Sequence, residues 1–246
     1  MTPDFPIPML PYKYTVDVIL PSYNEHEVVA ECVKRVVDEF KSSTYDVRVV
    51  VVLDGPDEVA VSALLALRIE SLKIITLDTN RGKGEALRSG IKVSEANYIA
   101  FIDADLDIHP DALLIGIDLL QINTSAVCAY GSKVHPESTV DYPILRRLMS
   151  FAFRVFQRIF LKIDVNDTQT GLKVFRSREL KEVLEFSKET GFLFDLELLM
   201  LLSRRNYRFI PVPISLNFQF NSSINFRTAF GIICQAVNLR RSIKKY

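Results

Sequence analysis

Residues 98–107, YIAFIDADLD, join a short apolar run to three aspartates at alternate positions. The run YIAFI has the nearly continuous apolar character of a strand that is buried on both faces of a parallel sheet. Asp103, Asp105 and Asp107 follow it, and alternate side chains of an extended segment lie on one face. Closely spaced carboxylates repel one another unless a cation lies between them. Because oxygen ligands favour Mg²⁺ or Mn²⁺, the stretch predicts a strand that ends at a metal site.

Helix capping is the alternative explanation of these aspartates. His109, Pro110 and Asp111 are typical of the start of a helix, and one aspartate is enough to cap it. Capping therefore leaves two of the three carboxylates unexplained.

Other apolar runs rich in β-branched residues alternate with amphipathic segments on both sides of this stretch. The further strands are predicted at residues 15–20, 47–53, 73–77 and 125–131. The helices are predicted at residues 25–41, 57–70, 84–96 and 111–120. This order predicts an α/β fold with a doubly wound, mostly parallel sheet. We find no internal repeat and no linker, so a single domain over residues 1–246 is expected.

Polar segments follow the other predicted strands, at the sheet edge where ligands bind in open parallel sheets. PSYNE begins at Pro21, DGPD at Asp54 and NRGKG at Asn80. The first two are also typical of a helix N-cap at Asn24 and of a tight turn. NRGKG is neither a Walker A nor a Rossmann motif, so phosphate binding by Lys83 and a purely structural helix start both stay open.

Composition and charge exclude several classes of protein. The chain has 246 residues, and its three cysteines, Cys32, Cys128 and Cys234, form no CxxC pair, so a disulfide framework is not expected. Neither a secretory signal nor an apolar membrane span is predicted. The first 142 residues carry 12 Lys or Arg and 22 Asp or Glu, and the rest carry 18 and 8. This basic C-terminal part predicts contact with phosphate, nucleic acid or a membrane, unless the charges only cover solvated helices.

Two basic amphipathic stretches lie in that part, at residues 144–163 and 226–245. Basic residues on one side and aromatic or aliphatic residues on the other are typical of helices that lie in a membrane interface. Helices packed on the core with a solvated face fit the pattern equally well.

Taken together, seven segments resemble glycosyltransferase family 2, and within it the polyprenol-phosphate sugar transferases. They are VILPSYNE from Val18, VVLDGPDE from Val51, NRGKGEAL from Asn80, DADLD from Asp103, GSK from Gly131, DTQTGLKVF from Asp167 and FDLELL from Phe194. The resemblance implies a GT-A fold and an inverting, metal-dependent hexosyltransferase of protein glycosylation. It also implies a nucleotide-sugar donor, GDP-mannose or UDP-glucose, and a dolichyl or other polyprenyl phosphate acceptor.

The resemblance assigns donor and metal roles to residues of the first half, about residues 14–142. The residues implied in donor binding are Pro21, Tyr23, Glu25, Asp54, Lys83 and Asp103, with Asp54 facing the base. Asp103 and Asp105 match the metal-binding DxD motif for Mg²⁺ or Mn²⁺, and Asp107 is included as a third ligand. VLDGP stands where the family usually has VDDGS, which leaves the choice of base open.

The acceptor part is expected over about residues 143–246, together with Lys133. Lys133, Arg146 and Ser150 are implied in binding the acceptor phosphate, and Asp105, Lys133 and Arg146 are the implied catalytic residues. DTQTG resembles the glucosyl branch more than the mannosyl branch. The protein is expected in the cytoplasm, peripheral on the cytosolic membrane face, with a membrane-tethering subunit as a further partner and without nucleic acid.

Three other functions fit parts of the sequence. A soluble family 2 transferase that acts on a sugar hydroxyl needs a carboxylate base, for which Asp195 or Glu197 is available. A sugar-phosphate nucleotidyltransferase normally has a Gly-rich basic loop after the first strand, where this chain has PSYNE. A non-enzymatic scaffold leaves the aspartate cluster without a role.

Overall fold

The computed structural model describes residues 14–26, 28–140, 163, 165–216, 235–237, 239–240 and 243. The strands are β1 (Thr15–Ser22), β2 (Asp46–Leu53), β3 (Leu72–Thr76), β4 (Tyr98–Phe101), β5 (Ala126–Ser132), β6 (Thr139–Val140), β7 (Lys173–Arg176), β8 (Arg208–Pro213) and β9 (Ser215–Leu216). The helices are α1 (Val28–Phe40), α2 (Glu58–Ala66), α3 (Lys83–Lys92), α4 (Asp111–Ile122), α5 (Ser177–Leu184) and α6 (Phe194–Arg204).

Seven strands form one sheet in the order β3-β2-β1-β4-β7-β5-β8. Every neighbouring pair is parallel except those of β7, which runs antiparallel to both β4 and β5. Strands β6 and β9 form a separate parallel pair. The predicted mostly parallel α/β sheet is therefore confirmed, and β7 and β8 are strands of this sheet that the sequence pattern did not predict.

Alternation along the strands divides the core into two layers. In β1, Val18 and Leu20 lie in the layer covered by α1, α2 and α4, whereas Ile19 lies in the layer covered by α3, α5 and α6. All three side chains are fully buried. The sheet is thus apolar on both faces, which explains the continuous Val and Ile runs in its strands.

Several predicted boundaries move because residues adopt a left-handed backbone conformation. Helix α1 begins at Val28 rather than at Glu25, since Asn24 and His26 have φ angles of 58° and 40°. Asn24 is therefore not the N-cap of α1. Helix α2 ends at Ala66 rather than near residue 70, and Arg68, with φ at 51°, follows its end.

The helices and cysteines of the described ranges can be compared with the membrane and disulfide predictions. None of the helices in the described ranges has the length and apolar character needed to cross a bilayer. Cys32 and Cys128 are buried free thiols. The amphipathic stretches at residues 144–163 and 226–245 lie almost entirely outside the described residues, so their place at a membrane stays a prediction.

Candidate active site

A cleft of about 500 Å³ opens at the carboxyl ends of β1, β2 and β4. Seven of the residues predicted to bind the donor or the metal line it together, namely Pro21, Tyr23, Glu25, Asp54, Lys83, Asp103 and Asp105. They come from four separate segments of the chain. Parallel strands bring the segments together because their carboxyl ends meet at one edge of the sheet.

Lys83 and Asp103 form the central ion pair of the cleft. The Lys83 Nζ atom lies 2.5 Å from Asp103 Oδ1, and the two side chains are 22% and 30% exposed. Burial disfavours a charged Asp103, but the nearby ammonium groups of Lys83, Lys173 and Lys133 lower the pKa of Asp103 below its ordinary value. Burial also disfavours a charged Lys83, whose pKa is nevertheless raised by Asp103 and Asp195. Asp103 therefore stays ionised, with its charge available to the cleft.

The segment from Asp103 to Asp107 is a turn and not an extended strand, which contradicts the predicted alternation. Leu106 has a φ angle of 63°, and the Asp107 amide donates a 3.0 Å hydrogen bond to Asp105 Oδ1. The left-handed residue breaks the two-residue period, so the three carboxylates do not share a face. Asp103 and Asp105 line the cleft, whereas Asp107 is not among its lining residues.

Two carboxylates of the cleft carry raised pKa values. Burial raises the pKa of Asp105 to about 6, and the charge of Asp103 adds to this effect. Burial likewise raises the pKa of Glu25 to about 7, and its Oε2 atom is buried without a hydrogen-bond partner. Carboxylates that repel one another around an unpartnered oxygen form a donor set that suits a hard cation.

The structure brings two of the three predicted metal ligands, Asp103 and Asp105, into the cleft. No group of three or more His, Cys, Asp or Glu is arranged to hold a metal within the described residues. Mg²⁺ and Mn²⁺ sites often use one or two carboxylates and complete their shell with water and substrate phosphates. Asp103 and Asp105 fit that type of site, and their role as ligands stays a prediction.

Asp54 organises the glycine-containing loop in front of α3. Its two carboxylate oxygens accept hydrogen bonds from the amides of Arg81, at 2.7 Å, and Gly82, at 2.8 Å. Gly82 has a φ angle of 95°, which favours glycine. These two amides are therefore hydrogen-bonded inside the protein, which supports a structural role for this part of the NRGKG segment. Lys83 is the charged residue of the segment that lines the cleft. The predicted contact of Asp54 with a base stays untested.

Lys133 directly follows β5 and is paired with Asp167. The Lys133 Nζ atom is 3.2 Å from Asp167 Oδ2, and the same oxygen accepts the Lys133 amide at 3.2 Å. Its ammonium group is close enough to lower the pKa of Asp103, so it adds positive charge beside the cleft. Arg146 and Ser150 lie outside the described residues, and the acceptor-phosphate site therefore stays a prediction.

A buried ion pair behind the aspartates has no counterpart in the sequence-based prediction. Lys173 is fully buried, and its Nζ atom donates to Asp195 Oδ2 at 2.9 Å and to the Thr170 carbonyl at 2.6 Å. The signal was a single lysine in the otherwise apolar strand GLKVF. Burying an ammonium group requires a partner charge, so this lysine pointed to a nearby acid.

The two carboxylates considered as a base in a hydroxyl-directed enzyme differ in their surroundings. Glu197 is 2% exposed and accepts hydrogen bonds from Ser187, Lys188 and Glu189, so it is occupied inside the protein. Asp195 is 7% exposed, and its Oδ1 atom is buried without a partner. Of these two carboxylates, only Asp195 has an oxygen without a hydrogen-bond partner.

Comparison with known proteins finds one matching family model and several related sequences. The sequence model of glycosyl transferase family 2 matches residues 17–184. The chain is 27% identical over 223 residues to dolichyl-phosphate beta-glucosyltransferase of Saccharomyces cerevisiae, covering 81% of this chain and 66% of that protein. It is 28% identical over 207 residues to glycosyltransferase AglD of Haloferax volcanii, covering 81% of this chain and 32% of that one. The chain thus spans less than two thirds of the length of both relatives.

Solved structures share the fold. Glucosyl-3-phosphoglycerate synthase from Mycobacterium tuberculosis, solved with Mn²⁺, UDP-glucose and phosphoglyceric acid, superposes with a TM-score of 0.71 at 15% identity. The match covers 93% of this chain and 80% of that one. This likeness confirms the predicted GT-A fold.

Proposed function

Because the chain belongs to glycosyl transferase family 2, we propose that it transfers a hexose from a nucleotide sugar to the phosphate of a dolichyl or other polyprenyl phosphate. The observation that carries the proposal is the cleft in which Lys83, Asp103 and Asp105 converge at the carboxyl edge of the sheet. The names of the relatives, dolichyl-phosphate beta-glucosyltransferase in three organisms, support glucose and a dolichyl phosphate. UDP-glucose is therefore the first donor to test.

The reaction is a displacement at the anomeric carbon of the hexose. An oxygen of the acceptor phosphate forms the new bond to C1, and the bond from C1 to the nucleoside diphosphate breaks with its electrons going to the diphosphate oxygen. Attack opposite the leaving group inverts the anomeric configuration. A phosphate monoester is largely ionised near neutral pH, so this attack needs no general base.

The departing diphosphate and the acceptor phosphate both need positive charge, and the residues in and beside the cleft would supply it. Lys83 places an ammonium group at the start of α3, where it offers positive charge to the departing diphosphate. Asp103 and Asp105 would hold Mg²⁺ or Mn²⁺, which when bound supplies further positive charge to the diphosphate. Lys133, with Arg146 and Ser150, would hold the acceptor phosphate through charge-assisted hydrogen bonds.

A second candidate function rests on the unpartnered Asp195 Oδ1 atom. A transferase that acts on a sugar hydroxyl needs a base, and this oxygen is the available acceptor among the two carboxylates considered. The ion pair with Lys173 opposes this role, because Asp195 is buried and its other carboxylate oxygen is held by the lysine ammonium group.

One assay separates these functions. The purified chain is incubated with Mn²⁺ and UDP-glucose or GDP-mannose, and with a short-chain polyprenyl phosphate, a free alcohol of the same length or a sugar that offers free hydroxyl groups. We expect hexose transfer to the polyprenyl phosphate, from UDP-glucose in preference to GDP-mannose, and loss of transfer in EDTA. Transfer to hydroxyl acceptors alone would replace the proposal with the second function, and no transfer from either donor would refute both.

Arg146→Ala tests the acceptor site. The variant should weaken use of the lipid phosphate far more than binding of the nucleotide sugar, because a charge-assisted phosphate contact is lost while the nucleotide cleft stays intact. An equal loss of donor affinity would place Arg146 in the donor site or in the fold.

We also propose that the protein acts while bound to the cytosolic membrane surface through residues 144–163. A basic amphipathic segment gains from burying apolar area and from anionic lipid. The chain should therefore sediment with anionic liposomes and be partly released by high salt. Neutralising Arg154 and Arg158 together should weaken this binding, whereas indifference of the wild-type chain to anionic liposomes at low salt would refute it. A membrane-tethering subunit stays a separate prediction.

A further inference from the structure

The connection between α5 and α6 packs directly against the start of α3. We call residues 187–193 of this connection the bridging loop. The Thr190 carbonyl accepts a 3.1 Å hydrogen bond from the Glu85 amide. A Cβ atom at Gly82 would lie 2.6 Å from the Thr190 oxygen, and one at Gly84 would lie 2.7 Å from the Thr190 carbonyl carbon. The backbone of the bridging loop is thus in direct contact with the backbone at the start of α3. The positions of the two segments therefore depend on each other.

Glu197 of α6 binds the first residues of the bridging loop through hydrogen bonds. Its Oε2 atom accepts hydrogen bonds from the Ser187 hydroxyl at 2.5 Å, the Lys188 amide at 3.0 Å and the Glu189 amide at 2.9 Å. The side chain lies in the first half of α6 and is 2% exposed. Hydrogen bonds to a buried carboxylate are stronger than those between neutral groups, so one side chain fixes the first part of the loop.

Arg88 holds the same loop from α3. Its guanidinium donates to the Ser187 hydroxyl at 3.1 Å, to the Glu189 carbonyl at 3.0 Å and to the Leu184 carbonyl at 3.3 Å. It also lies 5.2 Å from the centre of the Phe194 ring. The Ser187 hydroxyl therefore joins the positive charge of α3 to the negative charge of α6.

The start of α3 is consequently held from two sides. Asp54 binds the Arg81 and Gly82 amides on the side of β2, and the bridging loop contacts Gly82 and Gly84 on the other. Lys83 lies between these contacts, and its ammonium group reaches Asp103. A shift of the bridging loop would therefore move Lys83 relative to the aspartates.

We propose that Glu197 is a positioning residue of the donor site, which acts through the bridging loop on α3 and Lys83. This inference rests on the proposed function, because it assumes that the cleft binds a nucleoside diphosphate. Glu197 contacts no substrate in this role. It differs from a general base, whose loss would slow the chemical step without changing donor affinity.

The test compares Glu197→Gln with the matched control Glu185→Gln, which changes an exposed glutamate of the same connection. Ser187→Ala is the milder variant that removes only the shared hydroxyl, and it decides the question if Glu197→Gln does not fold. Two readouts are used. One is the affinity for UDP with Mn²⁺, together with KM and kcat for the sugar donor, and the other is hydrogen exchange of individual amides.

For Glu197→Gln we expect faster exchange at the Lys188, Glu189 and Glu85 amides, with exchange in β1 unchanged. Donor KM and the dissociation constant of UDP should rise about tenfold, because charge-assisted hydrogen bonds are replaced by weaker neutral ones. The value of kcat at saturating donor should change much less. Ser187→Ala should show the same pattern with smaller changes, and Glu185→Gln should match the wild type.

Two results would overturn the proposal. Faster exchange at Lys188 and Glu189 without any change at Glu85 would show that the loop does not control α3. A fall in kcat with unchanged UDP affinity would show that Glu197 acts in the chemical step. If the wild-type chain binds no nucleoside diphosphate, the proposed function fails, and exchange at Glu85 alone decides whether Glu197 positions α3.

Discussion

Replacing Gly171 by alanine tests whether activity depends on the position of the Asp103 carboxylate. Gly171 lies shortly before β7 and faces Asp103 so closely that a Cβ atom would lie 2.0 Å from Oδ2 and 2.3 Å from Cγ. Nonbonded carbon and oxygen atoms do not approach to such distances. The Asp103 side chain must therefore move by about 1 Å or more to reach ordinary van der Waals contact.

The expected loss is large for activity and small for stability. A displacement of about 1 Å in a group that positions substrate costs on the order of 10²-fold in rate, so we expect that loss in kcat/KM. The Asp103 side chain is 30% exposed and can rotate towards the cleft, at the expense of its hydrogen bond with Lys83. The free energy of unfolding should then fall by only about 1 kcal/mol, the central value for point substitutions.

Gly116→Ala is the matched control, since it adds the same methyl group against an apolar side chain of β7. Its Cβ atom would lie 3.0 Å from Val174 Cγ2 and 3.4 Å from Ala129 Cβ, in the core and away from Asp103. We expect it to change the unfolding temperature and to leave the activity of the folded protein intact. Wild-type transfer and wild-type Mn²⁺–UDP affinity in Gly171→Ala would refute the reasoning, as would a loss of activity in Gly116→Ala of the same size.

Further predictions concern the charged groups of the cleft and the ion pair behind it. Asp105→Ala should abolish transfer, because a ligand of the leaving-group cation is lost; full activity of this variant in EDTA would contradict the metal assignment. Glu25→Gln should raise the unfolding temperature at pH 8 in EDTA by about 2–4 °C for each 1 kcal/mol gained. The reason is that the raised pKa of Glu25 makes its ionisation destabilising as pH rises from 4.5 through about 7, so the advantage should vanish at pH 4. Lys173→Met should lower the free energy of unfolding by about 3 kcal/mol, because Asp195 is left as a buried unpaired charge. Adding Asp195→Leu should restore part of this loss in denaturant titrations, and no recovery would show that the lysine acts mainly by packing.

The sequence predicted those strands and polar segments whose formation is determined by residues close together in the chain. The Val and Ile runs of β1 and β2 indicated buried parallel strands, and the polar segments behind them indicated one ligand-binding edge. Pro21, Glu25, Asp54 and Lys83 line one cleft because chain order and parallel pairing together fix that edge.

The parts that were wrong or missed depend on single backbone angles or on distant contacts. Leu106 with a positive φ turned the expected alternating aspartates into a turn, and no side-chain pattern reports such an angle. The pairing of Lys133 with Asp167 and the hold of Glu197 on residues 187–189 join segments that only the folded chain brings together. The sequence therefore indicated which residues line the cleft better than it indicated which residues support them.

The insertion of β7 between β4 and β5 sets an order for folding during synthesis. Strands β1 to β4 can pair as soon as residue 101 has left the ribosome, but β4 then presents an open edge until residues 173–176 emerge. Open strand edges invite pairing with other chains, and long-range strand pairing is slow. Because Asp103 follows β4 and is packed against Gly171 just before β7, the aspartates would reach their final positions only when this late strand docks. A nascent chain arrested before residue 173 should therefore be prone to aggregation and unable to bind the donor.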